Sequence, residues 1–336
     1  MKSRLLLMLV MLSAAPPVLA DPVGQDALGW LKMMAFAAHR TDYSGTFIYQ
    51  SGDRIETSRI THVTDAAGEH ERLEGLDGAR REIIRNNEHI WCYQGDKQVL
   101  VKKREGGGTF PALLPEHLSA LSENYQIQQG EDDRVAGFHA HTLVFQPRDN
   151  LRYSHKMWAH SDSGLLLKAV VLDESGRVIE QYAFTQLTIG GKIDRKWIIS
   201  GKSRQQALAA ATAETAGVPV TSGWQVHALP VGFRKILELR RSLREGKVPV
   251  THLVFSDGLA GISVFIESMA NKPEMRPGVY SQGVIQVYSK VVDDNLLTVA
   301  HIGDSRLYRL RGNRFDRLTR DHSLLQEQLD SGIISV

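Results

Sequence analysis

The sequence predicts a mainly β (α+β) protein, in which one large, curved antiparallel sheet with covering helices precedes a small C-terminal β domain. Short runs of alternating apolar and polar residues between positions 43 and 188, separated by turn residues, predict about eleven consecutive strands. Strands at this spacing are typical of an antiparallel meander, and their number favours one strongly curved sheet. A break in composition over residues 200–223 separates a second, smaller set of apolar runs.

The first twenty residues have the features of a secretory signal peptide. Lys2 and Arg4 precede the apolar run Leu5–Leu12, and small residues lead up to Ala20. The chain has 40 basic and 38 acidic residues, so removing this leader with its two basic residues leaves 38 of each. A neutral mature chain argues against sequence-independent nucleic-acid binding. No later stretch approaches the ~20 apolar residues of a membrane-spanning helix.

The chain has a single cysteine, Cys92, which excludes an internal disulfide in the exported protein. Cys92 lies in the aromatic, strand-like run Glu88–Tyr93. This setting favours burial in a core over a reactive thiol or an intermolecular bridge.

The large domain, residues 21–199, begins with a predicted helix at Gln25–His39, whose apolar residues recur at helical spacing. A second, short helix is predicted at Pro115–Asn124, with proline in its first turn. The predicted strands before it are Ser44–Gln50, Glu56–Val63, Glu69–Leu76, Glu82–Arg85, Glu88–Tyr93 and Gln98–Lys102. Those after it are Tyr125–Gly130, Arg134–Phe145, Leu151–Ala159, Leu165–Leu172 and Val178–Thr188.

Residues 200–223 are rich in Ala, Thr, Ser and Gln and are interpreted as a linker. A small domain is predicted from Trp224 to residue 298. Its clearest element is a hairpin, because Asp257-Gly258 lies between two apolar runs. A further strand is predicted at Gly283–Val292.

Several separate motifs resemble the RseB/MucB family of periplasmic regulators, in the family's order. They are the stretches 43–50 (YSGTFIYQ), 229–233 (LPVGF), 252–266 (HLVFSDGLAGISVFI) and 287–293 (VYSKVVD). The resemblance extends over about residues 20–298. It implies a large domain like the lipoprotein carriers LolA and LolB, namely a half-open barrel with helices against its inner face.

The resemblance also implies a function. A family member binds the periplasmic region of the membrane-anchored anti-sigma factor RseA/MucA and shields it from cleavage, which restrains the envelope-stress factor sigma-E. Lipid or lipopolysaccharide would relieve the restraint, and a homodimer is a further expectation. The protein would be periplasmic, non-enzymatic and without a cofactor. The first alternative is a periplasmic lipid or lipoprotein carrier, which shares the large-domain fold but lacks the small domain.

Residues 299–336 resemble a different family, the metal-dependent serine/threonine phosphatases. The similarity lies in 300–309 (AHIGDSRLYR) and 318–324 (LTRDHSL), and implies that Asp304 could join a metal cluster. The carboxylates that such a cluster needs are not recognisable upstream, so phosphatase activity is the weaker alternative. We interpret this segment as a fusion or a sequence artefact. Gly312-Asn313 between two alternating runs predicts a hairpin within it.

One basic run is a candidate contact for an acidic partner or for lipid head groups. It consists of Arg234, Lys235, Arg240, Arg241 and Arg244, near Glu238 and Glu245. The alternative interpretation is an ordinary solvated face. The five tryptophans are scattered along the chain, so core packing is their default role.

Overall fold

A computed structural model describes residues 25–195 without 88, 95–96, 103–108 and 116, and residues 218–241 without 227. It also describes residues 249–268, 278–282, 285–292, 295–302, 308–311 and 314–317. The strands form two main sheets and one separate hairpin. Of the helices in this part of the chain, none has both the length and the hydropathy that crossing a bilayer requires.

The first sheet contains twelve antiparallel strands arranged as two meanders. Its strands are β1 (Tyr43–Ser51), β2 (Arg54–Asp65), β3 (Gly68–Gly75), β4 (Arg81–Asn86), β5 (His89–Gln94), β6 (Lys97–Lys102), β7 (Tyr125–Gln129), β8 (Asp133–Val135), β9 (Phe138–Pro147), β10 (Ser154–His160), β11 (Leu166–Leu172) and β12 (Val178–Ile189). The two meanders join where β1 pairs with β12 along its whole length. The strand order ends at β6 on one side and β7 on the other.

Two helices, α1 (Gln25–Arg40) and α2 (Ser119–Asn124), contribute to the core of this large sheet. We call the sheet face that packs against α1 the covered face. The α1 residues Leu31 and Met34 are almost completely buried in the same core as Phe47 and Phe145 of the sheet. Their i, i+3 spacing is the pattern that predicted the helix, so this prediction is confirmed.

The prediction of one continuous strand at Arg134–Phe145 is wrong. The chain forms β8 and then β9, separated by a turn in which Ala136 and Gly137 have positive φ angles of 50° and 87°. Alanine seldom adopts that conformation, so Ala136 gave no turn signal, whereas Gly137 favours a turn and was included in the predicted strand. The second helix is also shorter than predicted and begins at Ser119.

The second sheet contains seven antiparallel strands in the order β13–β14–β15–β16–β19–β18–β17. They are β13 (Val218–Pro219), β14 (Arg234–Arg241), β15 (Val250–Ser256), β16 (Gly261–Ser268), β17 (Gly278–Gln282), β18 (Ile285–Val292) and β19 (Asn295–Ile302). The predicted Asp257-Gly258 hairpin is confirmed, because β15 pairs with β16 directly across this turn. Leu253, Phe255 and Val264 belong to the core of the small sheet.

The small sheet extends beyond both ends of the predicted small domain. β13 lies inside the segment interpreted as a linker, where a two-residue strand containing proline leaves no alternating pattern. β19 continues past residue 299 and pairs with both β16 and β18. Further on, β20 (Tyr308–Arg311) pairs with β21 (Arg314–Arg317), as the hairpin signal predicted. Asp304 lies outside the described residues.

Candidate partner-binding site

Part of the covered face of the large sheet is occupied by the segment around Phe110. The ring of Phe110 lies parallel to that of Tyr182, with centroids 5.4 Å apart, and it also contacts Phe47. Between α1 and residues 111–114 there is a cavity of about 10 Å³. A space of this size holds at most a single water molecule. An acyl chain therefore does not fit between these elements in this conformation.

A partly buried ionic cluster lies where the end of α1 meets β2 and β3. His62 is fully buried and hydrogen-bonds through Nδ1 to the carbonyl of Thr41 (2.8 Å) and through Nε2 to Glu69 (3.2 Å). His39, at the end of α1, also contacts Glu69 (3.1 Å), and this hydrogen bond raises the pKa of His39. Burial raises the pKa of the neighbouring Glu71. The cluster ties the C-terminal end of α1 to β2 and β3.

An exposed apolar surface precedes β14. Of the ten large apolar side chains that are exposed among the described residues, half lie between positions 218 and 231. We call these five residues the apolar strip: Val218, Trp224, Val226, Leu229 and Val231. A segment in which exposed apolar side chains are concentrated is a candidate interaction surface. The strip is mostly irregular chain that leads into the small sheet.

The strip is anchored to β14 by polar contacts. Glu238 accepts hydrogen bonds from the backbone N–H of Ser222 (2.6 Å) and from Lys235 Nζ (2.6 Å). These bonds lower the pKa of Glu238 to about 2, the bond from Lys235 contributing most. The backbone that carries Trp224 is thus held close to β14, although its side chain remains accessible.

The residues of the predicted basic run are distributed over both faces of the small sheet. The register of β14 against β15 places Lys235 and Arg240 on the face of Phe255 and Thr251. Arg234 and Arg241 fall on the opposite face. Arg234, Lys235 and Arg240 are exposed, the side chain of Arg241 is not described, and Arg244 lies outside the described residues.

The tryptophans singled out from the sequence differ in their exposure to solvent. Trp158 is buried, as expected for a core residue, whereas Trp224 is 36% exposed and belongs to the apolar strip. Cys92 lies on β5, but its side chain is not described. In the described part of the chain, no group of three or more His, Cys, Asp or Glu side chains is placed to hold a metal ion.

Sequence reasoning missed the apolar strip and the charged contact between the two sheets. The strip lies partly in the segment interpreted as a linker. That segment has no periodic pattern, so its sequence does not distinguish exposed from buried apolar residues. The charged contact joins Arg152 to Asp257, which are 105 positions apart. Neither residue has a local pattern that indicates its partner.

Family models of the two MucB/RseB domains match successive parts of this chain. The model of the N-terminal domain matches residues 26–201, and that of the C-terminal domain matches residues 218–304. The Pseudomonas aeruginosa sigma factor AlgU regulatory protein MucB is 32% identical over 80% of this chain and 81% of its own length. The Haemophilus influenzae sigma-E factor regulatory protein RseB is 23% identical over 80% and 84%.

Solved structures of MucB resemble the described fold. The Pseudomonas aeruginosa MucA/MucB complex matches with a TM-score of 0.63 and 29% identity, over 82% of this chain and 93% of the solved chain. A crystal structure of MucB in complex with MucA(peri) matches with a TM-score of 0.63 and 30% identity, with the same coverage. A crystal structure of MucB reaches 0.60 with 28% identity, over 83% and 92%.

Proposed function

Because this chain belongs to the MucB/RseB family, we propose that it binds the periplasmic region of an RseA/MucA-type anti-sigma factor. Binding protects the anti-sigma factor from proteolysis and thereby restrains a sigma-E-type factor. The protein acts as a binding module without a reactive centre. We place it in the periplasm, where the signal peptide predicted from Lys2, Arg4 and the run Leu5–Leu12 would deliver it.

One observation carries the proposal: the similarity to MucB extends over both sheets. The solved MucA/MucB complex aligns with 82% of this chain, and 93% of the solved chain is covered. A carrier built from the large sheet alone would lack the second sheet and the apolar strip. This chain has the second sheet in addition to the large one.

We assign the apolar strip as the main contact for the anti-sigma segment. Its side chains are exposed in the free chain, and covering them would remove apolar surface from water. Arg240 is exposed on β14 and is paired across the sheet with Val218 of the strip. Its charge favours a partner segment that carries acidic as well as apolar residues.

Lipid acts in this proposal as a competitor of the partner and not as a permanent cargo. The cavity of about 10 Å³ between α1 and residues 111–114 has no room for an acyl chain. A lipid that inserts between these elements must move them apart, so it would bind another conformation of the protein. A ligand that prefers one conformation shifts the population away from the other, which weakens partner binding.

The proposal is tested by co-purification of the mature protein with a tagged periplasmic segment of a MucA-type anti-sigma factor. We expect a stable complex in which the segment resists a site-specific protease that cleaves the free segment. Lipopolysaccharide added to the complex is expected to release the segment. Failure of the segment to co-purify, or equal cleavage with and without the protein, would contradict the proposal.

A further inference from the structure

A buried ion pair joins the two sheets. Arg152 lies in the loop between β9 and β10 of the large sheet, and Asp257 lies in the turn between β15 and β16 of the small sheet. Arg152 Nε donates a hydrogen bond to Asp257 Oδ2 across 2.6 Å. The two side chains are 1% and 0% exposed, respectively. Charges withdrawn from water to this degree are costly unless they are paired and hydrogen-bonded.

Every oxygen of the Asp257 carboxylate has a partner. Oδ2 accepts a second hydrogen bond, from the hydroxyl of Tyr125 on β7 (3.0 Å). Oδ1 accepts from the backbone N–H groups of Leu259 (2.9 Å) and Ala260 (2.8 Å) in its own turn. The carboxylate is therefore fixed by its own hairpin on one side and by the large sheet on the other.

The guanidinium of Arg152 connects this pair to the apolar strip. Its Nη1 donates to Asp149 in the same loop, and its Nη2 donates to the backbone carbonyl of Val231. Its Cζ also lies 5.2 Å from the centroid of the Phe233 ring, directly after the strip. One side chain thus contacts the large sheet, the small sheet and the strip between them.

Two glycines allow the close approach at this junction. Gly232 has a φ of 83°, and a Cβ at this position would overlap the amide of Asn124 in the large sheet's α2. Gly258 has a φ of 108°, and a Cβ there would lie 2.8 Å from Pro115. A side chain at either position would both strain the backbone and separate the two halves.

We propose that Arg152 and Asp257 are positioning residues that hold the two sheets and the apolar strip in the arrangement that binds the partner. This inference rests on the proposed function. The hydrogen bonds from Arg152 and Tyr125 to Asp257 cross between the sheets, and because hydrogen bonds are directional they favour one relative orientation of the sheets. If one member of the pair loses its charge, the other charge is left buried without its partner, which is costly. Water that enters between the sheets hydrates this charge, so the junction opens while each sheet stays folded.

The test uses the full mature chain with Asp257→Asn, which removes the charge and keeps the shape of the side chain. Small-angle X-ray scattering measures the free protein, and calorimetry measures binding of a synthetic MucA-type periplasmic segment. We expect a larger radius of gyration and at least about a tenfold weaker Kd. Arg152→Met, on the other sheet, should reproduce both effects, and circular dichroism verifies that each variant is folded.

Asp173→Asn is the matched control. Asp173 is also a buried aspartate in a hairpin turn, accepts backbone hydrogen bonds there and pairs with an arginine, Arg177. Both members of that pair lie in the β11–β12 turn of the large sheet. This variant should leave the radius of gyration and the Kd unchanged.

Two results would overturn the positioning role. One is wild-type binding by folded Asp257→Asn, and the other is weaker binding without any change in scattering, which would indicate a direct contact. If the wild-type protein itself does not bind the segment, the proposed function fails. The scattering of the variants then still decides whether the pair fixes the arrangement of the sheets.

Discussion

Replacing Val231 by serine tests whether the apolar strip contacts the anti-sigma segment. Val231 is 77% exposed in the free chain, so a partner that covers the strip would bury nearly the whole side chain. Losing the burial of about two methyl groups costs about 1.5 kcal/mol. That cost corresponds to about a tenfold higher Kd. The free energy of unfolding should change by less than about 0.5 kcal/mol, because the side chain is mostly solvated already.

The assay is isothermal titration of the mature protein with the periplasmic segment, with urea unfolding measured in parallel. Val178→Ser is the matched control, because Val178 is also exposed (52%) but lies on β12, outside the strip. We expect Val178→Ser to bind like the wild type. Unchanged binding by Val231→Ser, or an equal loss in both variants, would refute the assignment of the strip.

Two further predictions concern α1. Leu31→Ala, at a buried position that packs on the large sheet, should lower the free energy of unfolding by about 2–5 kcal/mol. Leu28→Ala, at a position of the same helix that is 40% exposed, should cost only about 1 kcal/mol in the same urea titration, and equal losses would contradict the packing of α1. His39 has a raised pKa because of its hydrogen bond to Glu69, so its contribution to stability is present at mildly acidic pH and is lost as the pH rises through that pKa. His39→Gln should reduce this loss of unfolding free energy by about 0.5 kcal/mol between about pH 6 and pH 9, as measured by urea titration, because the His39–Glu69 pair is largely exposed. The same pH dependence in the variant and the wild type would contradict the role of His39.

The strands of the large sheet and helix α1 were predictable because their burial follows a simple period. Leu31 and Met34 recur at helical spacing, and the alternating runs mark strands such as β2 and β4 that have one more deeply buried face. The turn at Ala136 and the strand at Val218–Pro219 were not predictable. The strand at Val218–Pro219 depends on its pairing with β14, and at the turn only Gly137 gave a signal, because alanine rarely takes a positive φ angle.

The candidate site was predictable only in part. The family motifs indicated a partner-binding protein, and the Asp257-Gly258 turn was recognised as a hairpin. That the carboxylate of Asp257 faces Arg152 depends on how the two sheets pack, which no local pattern records. Trp224 illustrates the same limit, since an aromatic residue in an irregular segment is equally consistent with a core and with a surface.

Hydrogen–deuterium exchange of the mature protein, with and without the periplasmic segment of a MucA-type anti-sigma factor, tests the central claim most directly. We predict slower exchange on binding, concentrated in residues 218–241, which include the apolar strip and β14. Protection confined to the large sheet, or no protection at a saturating concentration of the segment, would contradict the claim that this chain binds its partner at the junction of its two sheets.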